Sequence, residues 1–289
     1  MHARHLPAGR SGRWLVLAIA LALAAAVPRV EAADLGTTRG YAEWAEVALA
    51  SPPEGVRFLD ELEQKLVELT AAERQEQAPD APPLEADPGL QRAAQAHALD
   101  MLERGYTGHV GPDGRDVGAR VAILARRFVG GSGENIAEHA GIGLDQLAGQ
   151  TGPLASKLVD GWMASPGHRK NLLDPAYDRF ALAAAGQGER VVIVQVFGDR
   201  KAQLAEPVPL EVAEGAALPL RFADTGGPAP QKFAFAPPGT PVEELVTLEV
   251  SANEVVVEPG EYRLQFLFAT DREGYFEIVG GPALVVTGG

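Results

Sequence analysis

Six histidines occur in the 289 residues, and their placement carries most of the chemical information. His2 and His5 stand in a basic N-terminal stretch. His97, His109, His139 and His168 all lie between positions 97 and 168, and no histidine follows. Glu134 sits between His109 and His168, so one region supplies two imidazoles and a carboxylate from three separate segments. Two His and a carboxylate form an acceptable ligand set for Zn²⁺ or another divalent metal, with a fourth position left to water. The same groups can act as general base and general acid, which makes His168 and Glu134 the catalytic candidates.

The densest polar segment is Gly161-Trp162-Met163-Ala164-Ser165-Pro166-Gly167-His168-Arg169-Lys170-Asn171-Leu172-Leu173-Asp174-Pro175. A helical pattern ends on Trp162, and Ser165 followed by Pro166 reads as the N-cap and first position of a new helix. His168 then falls in the first turn, near unpaired N–H groups and the positive end of the helix dipole. That environment disfavours imidazolium and leaves a neutral ring able to accept a proton or bind a metal. Ser165 as a nucleophile beside His168 is the rival to Ser165 as a cap. Around this motif Asn135, Ser165, Arg169 and Asn171 are the cleft-supporting residues. Asn135 either lines a cleft or bridges loop backbone, and Arg169 either contacts a ligand or holds the motif through a salt bridge.

Other signatures fail. Gly131-Ser132-Gly133 is followed by Glu134, so it is not a nucleophile elbow. There is no H-E-x-x-H and no phosphate loop. Cysteine is absent, which excludes a thiol nucleophile, a disulfide framework and a lipid-attached cysteine.

These residues need elements to hold them. Residues 33–50 show only a short amphipathic patch around Trp44 and Val47 and read as an N-terminal arm. Ser51-Pro52-Pro53-Glu54 has capping-box spacing ahead of Phe58, Leu62, Leu66 and Leu69 on one helical face. Asp87-Pro88 starts a second helix with Leu90, Ala94, His97 and Met101 on its stripe, stopping at Gly105. His97 therefore reads as a core histidine. His109 lies in the turn-rich stretch Tyr106 to Gly114, presented rather than packed. A third helix is expected from Arg120 to Phe128, ended by Gly130-Gly131-Ser132-Gly133. In extended form Glu134, Ile136 and Glu138 share one face, with Asn135 and His139 on the other. The Gly-rich loop to Pro153 reads as a flexible rim. Leu154, Leu158 and Trp162 mark a buried helix, and Val191 to Phe197 is a β-branched core strand.

Composition shifts near Ala202. From Pro207 onward about seven short strands alternate with turns, at Leu218/Leu220/Phe222, Phe233/Phe235, Val246/Leu248/Val250, Val255 to Val257, Tyr262 to Phe268, Phe276/Ile278 and Leu284 to Val286. That count suits a small all-β sandwich.

Residues 1–32 have the form of a secretory leader: Arg4, Arg10 and Arg13, an apolar run from Trp14 to Val27, and a small-residue cleavage site at Val30-Glu31-Ala32. An uncleaved anchor is the rival, disfavoured because the run is short for a bilayer span. Cleavage removes four Arg and one Glu, leaving 21 basic and 38 acidic residues and a net charge of −17. Nucleic acid and anionic membranes are poor partners for such a chain. No later apolar run reaches the ~18 residues of a membrane span. A secreted protein, periplasmic or extracellular, is expected, with no membrane span once the leader is gone.

Several stretches, taken in order, resemble the bacterial secreted branch of the CAP superfamily, which comprises cysteine-rich secretory proteins, antigen 5 and pathogenesis-related proteins. They are Gly108-His109 with Pro112-Asp113-Gly114; Gly133-Glu134-Asn135-Ile136-Ala137; Trp162-Met163-x-Ser165-Pro166-Gly167-His168-Arg169-x-Asn171-Leu172-Leu173-x-Pro175; and Gln195-Val196-Phe197-Gly198. The resemblance spans roughly residues 55–199. It implies an α-β-α sandwich with an open cleft, here over residues 51–201; with the β-sandwich read at 202–289, which lies outside the resemblance, the fold class is α+β. It also implies cleft positions His109, Glu134 and His168, with a divalent metal bound in some members. The family's second acidic position falls near Ser165, where this chain has no carboxylate. Phe180 to Ala185 replaces a Gly-x-Gly of bacterial members, and the segment between Ala140 and Pro153 is enlarged.

Three functions follow. The first is a non-catalytic module whose cleft takes a divalent metal or small ligand, with the β-region engaging a cell-surface component. The second is a metal-assisted hydrolase of peptides or cell-wall material using the same cleft. The third is an adhesive or structural protein acting through the β-region.

Overall fold

The structure, a computed structural model, describes residues 35–147, 149–252 and 255–289. The leader read at 1–32 lies outside the described residues. Among the described residues no helix is long and apolar enough to cross a membrane.

The first unit is an α-β-α sandwich. Its sheet runs β1 (Val56–Phe58), β4 (Arg179–Gln187), β5 (Arg190–Gln203), β3 (Phe128–Ala140), with β2 (Glu85–Ala86) pairing parallel to β4. The β4–β5 and β5–β3 pairs are antiparallel. Strand alternation divides the core. Ala181, Ala183, Ala185, Val192, Val194 and Val196 pack under α1 (Thr38–Ala50), α3 (Pro88–Arg104) and α4 (Val117–Leu124). Phe180, Leu182, Ala184, Val191, Ile193 and Phe197 pack under α2 (Asp60–Gln77), α5 (Thr151–Ala164) and α6 (Pro166–Leu173). Each inner strand is buried on both faces, which is why Val191 to Phe197 is apolar except for Gln195, itself buried and hydrogen-bonded to Asn135 and Thr70.

Several boundaries differ from the expectation. Residues 38–50, read as an arm, are helix α1, with Tyr41, Trp44, Ala45 and Ala48 on its buried stripe. Half that stripe is alanine, which hides the period. Ser51 does not open a helix; it closes α1, donating its N–H to Val47 O. Phe58 belongs to β1, and α2 begins at Asp60 without a side-chain cap. Asp60, Glu61 and Glu63 in its first turn face the helix dipole instead. α3 agrees at both ends: the Asp87 carboxylate accepts from Gly89 and Leu90 N–H, and Gly105 adopts the left-handed conformation at φ 70°.

α4 starts earlier than expected, capped by Asp116, and stops at Leu124. The four residues from Gly130 to Gly133 do not end a helix; they lie within β3, fully paired to β5. Glycine serves close approach here, since a Cβ at Gly133 would collide with the Tyr177 hydroxyl. The loop after β3 is packed rather than a free rim: Leu147 is buried, Leu144 covers Gly186, and Asp145 pairs with Arg57.

The β-rich tail forms one five-stranded sheet, ordered β6 (Glu211–Ala213), β10 (Phe276–Thr287), β9 (Gly260–Ala269), β7 (Lys232–Ala236), β8 (Thr247–Glu249). The runs at Phe276 and Leu284 join across an irregularity between Gly280 and Ala283 into β10. Residues 218–222 and 255–257 are not strands. Their side chains, with Leu204 and Val208, cover the sheet as an irregular second layer. The two units interlock: Val129 and Ala202 from the first sheet enter the core of the second, and Ala283 of β10 enters the core under α1 and α4.

Candidate functional site

Glu134 lies on β3 with its side chain toward α3 and α4, on the face predicted for it. The carboxylate is buried, 1% exposed, and engaged on both oxygens. Nδ1 of His97 is 2.9 Å from Oε1, Nη2 of Arg120 donates to Oε1 at 3.0 Å, and Nδ1 of His109 is 2.9 Å from Oε2. Burial would raise the Glu134 pKa. The hydrogen bonds from His109 and His97 and the charge of Arg120 outweigh it and lower the pKa to about 2.

An ionised carboxylate can only accept, so both imidazoles carry a proton on Nδ1. In a neutral ring so oriented, Nε2 carries the lone pair. For His97 that nitrogen is buried without a partner. The His109 side chain is 55% exposed. Hydrogen bonding to Glu134 raises the His109 pKa above its usual value, despite partial burial.

His168 arrives from the opposite layer. α5 ends at Ala164, and Pro166 starts α6 with Ser165 between them. Ser165 holds the N-cap position, but its hydroxyl makes no capping bond; its carbonyl accepts from Arg169 N–H. Asn135, fully buried on the other face of β3, fixes α6 in place. Its Nδ2 donates to His168 O at 3.2 Å and to Gln195 Oε1 at 3.1 Å, while its Oδ1 accepts from Asn171 Nδ2 at 2.9 Å. Asn171 also donates to Glu134 O. The His109 and His168 ring centroids come to 6.5 Å, tilted by 48°. The His168 pKa is lowered by burial and by the neighbouring His109 charge. The shift has the direction expected from the helix dipole, with desolvation as its main cause.

His109, Glu134 and His168 are thus brought together, with Asn135 and Asn171 as direct supports. Arg169 reaches out to Gln77 Oε1 and forms no ion pair among the described residues. His139 stays apart, its Nε2 buried without a partner. His97 is core, as read, yet it also grips the site carboxylate. Sequence patterning does not single out Arg120. It is 2% exposed on the apolar stripe of α4, donating to His109 O and Arg115 O as well as to Glu134. A lone arginine among Val117, Val121 and Leu124 is the available signal, because a buried guanidinium demands a buried acid.

The three-ligand metal set needs correction. Among the described residues no group of three or more His, Asp and Glu side chains is placed to hold a metal ion. Glu134 is unavailable because His97, His109 and Arg120 occupy it. Two imidazoles remain, one oriented from behind by a carboxylate. That is how a ligating histidine is commonly supported, so the pair fits a divalent cation completed by water.

Residues 67–197 match the family model described as CAP, the cysteine-rich secretory protein family. The chain contains a CAP domain. A curated relative, "Uncharacterized protein YkwD" of Bacillus subtilis (strain 168), is 34% identical over 128 residues, 44% of this chain and 43% of that protein. The chain therefore spans less than half the length of this relative, and the CAP domain is of the bacterial type. Two solved structures are similar. An outer surface protein from Borrelia burgdorferi has 21% identity and a TM-score of 0.42 over 50% of this chain and 98% of that one. An extracellular protein containing a SCP domain from Bacillus anthracis str. Ames has 26% identity and a TM-score of 0.38 over 49% of this chain and 41% of that one.

Proposed function

We propose that this is an exported CAP-domain protein whose cleft, carried by residues 51–201, binds a divalent cation or small ligand without turning it over, with residues 202–289 as an accessory domain. The observation that carries the reading is the pairing of inequivalent imidazoles. Glu134 holds Nδ1 of His109, and His168 stands across from it with a pKa lowered by burial. His109 and His168 would hold the cation, and a bound metal would supply a Lewis-acid position for a ligand oxygen. Export rests on the leader-like residues 1–32. Calorimetric titration with Zn²⁺ tests the reading: saturable heat in the wild type, lost in both His109→Ala and His168→Ala. No saturable heat in the wild type removes the metal.

A second reading, a hydrolase, has one observation in its favour. The two rings have pKa values pushed apart, His109 up and His168 down, a pattern that separates acid from base. His168 would then be the base, and Glu134 would position His109 rather than activate water. Turnover of a peptide or cell-wall substrate abolished in His168→Ala supports it; full turnover in that variant ends it.

A further inference from the structure

The acids of this chain outnumber its bases 39 to 25, so a place where arginines gather without acids stands out. One exists at the N-terminal end of α3, away from the histidine cleft. A pocket of about 220 Å³ is lined by Arg92 on α3, Arg126 and Arg127 in the turn between α4 and β3, and Arg200 near the end of β5. Among the described residues the one carboxylate lining it is Asp87, whose Oδ1 is engaged by the N–H groups of Gly89 and Leu90.

The side-chain hydrogen-bond partners of three of these arginines are neutral oxygens, although the backbone N–H of Arg200 donates to the Asp178 carboxylate. Arg126 donates to Val208 O, Ala122 O and Pro209 O at 3.0 Å each, Arg127 donates from Nε to Leu204 O at 2.8 Å, and Arg200 donates from Nη1 to Gln203 Oε1 at 3.0 Å. Burial, with no opposing charge, pushes the Arg126 pKa down to about 10. Arg92 pairs with Glu46, a mostly exposed carboxylate, and exposed pairs of this kind exchange partners at little cost. A guanidinium has five N–H donors. Arg127 and Arg200 each use one of theirs on the bonds above, which leaves forks from two elements lining the same small space.

We infer that this pocket binds a phosphate group, through the free N–H groups of Arg127 and Arg200 and the charges of Arg92 and Arg126. Forks on different elements match the several oxygens of a tetrahedral anion better than the two coplanar oxygens of a carboxylate. The volume falls below the ~300 Å³ at which pockets begin to enclose a drug-sized ligand, so it suits a single phosphate or the phosphate end of a longer molecule. The site does not depend on the histidine cleft.

The test is calorimetric titration of the leaderless chain with inorganic phosphate at low ionic strength. The expected result is saturable one-site binding that weakens with added salt. It is unchanged in His168→Ala and at least about tenfold weaker in the Arg127→Gln/Arg200→Gln double variant, as the loss of charge-assisted bonds dictates. Should that variant melt early, Arg127→Lys/Arg200→Lys keeps both charges and removes the forks, and a severalfold weakening is expected. Absence of saturable heat into the tens of millimolar, or unchanged affinity in the double variants, overturns the assignment. A glycerol-phosphate oligomer binding more tightly than phosphate itself places the group on a polymer; equal affinity places it on a small molecule.

Discussion

Replacing Glu134 by Gln keeps the size of the side chain and removes the one charge on which His97, His109 and Arg120 converge. A carboxyl whose pKa falls from 4.5 to about 2 on folding contributes roughly 3 kcal/mol at neutral pH, at ~1.4 kcal/mol per pH unit. The same figure comes from the other side of the pair. Arg120 is 2% exposed, and a buried ion pair broken from one side costs about 3–5 kcal/mol because the survivor keeps an uncompensated charge. With a urea m-value of about 3 kcal/mol/M, the unfolding midpoint at pH 7 should drop by about 1 M. The pH dependence carries the sign. A depressed carboxyl stabilises the fold above its unfolded pKa and loses that contribution as pH falls through its folded pKa. The gap between wild type and Glu134→Gln should therefore hold above pH 4.5 and close toward pH 2. A midpoint shift under about 0.3 M, or a gap that does not change with pH, refutes the assignment of Glu134 as the buried counter-charge.

Three further outcomes follow from the same geometry. In an NMR titration His168 should lose its proton below the usual histidine range and His109 above it. His109 then stabilises the fold below pH ~6.5 and loses that as pH rises through its folded value, whereas His168 contributes above ~6.5 and loses it as pH falls through its own. In His109→Ala the His168 midpoint moves upward, and the reverse order of the two rings would sink the account. Asn135→Ala removes one partner from His168 O, Gln195 and Asn171 together; thermal melting should show a loss of about 2–3 kcal/mol, and zinc affinity should fall although both imidazoles remain. Gly133→Ala drives a methyl into the Tyr177 hydroxyl, costing about 1–3 kcal/mol, and less in a Tyr177→Phe background, as a double-mutant cycle would measure.

What can be read from the sequence has local causes. α3 is legible at both ends because Asp87-Pro88 and Gly105 act within a few residues of themselves. The shared face of Glu134, Ile136 and Glu138 is legible because strand alternation is a backbone property. The differences arise where distant packing decides. Gly130 to Gly133 looks like a helix stop, yet β5 pairs with every one of these residues. α1 is hidden by its alanines, and the start of α2 by a Ser-Pro-Pro-Glu whose spacing suits a cap while its backbone closes the previous helix. The site is half legible in the same way. Residue type marks His109, Glu134 and His168, but which carboxylate oxygen meets which partner depends on α4, whose Arg120 carries no motif.

Arg120 changes what the site can do. Without it, Glu134 beside two imidazoles would be a third ligand or a base. With it, the carboxylate is ionised at any working pH and has both oxygens occupied, so it can neither take up a proton nor turn toward the cleft. Its effect passes through His109, whose Nδ1 it holds and whose Nε2 it makes more basic. His168 has no such support, so the His109 ring holds its proton to a higher pH than the His168 ring does. An entering cation competes with a proton at His109 up to a higher pH than at His168. Affinity should accordingly rise with pH until His109 is deprotonated and level off there, a profile set by the ring that Glu134 holds.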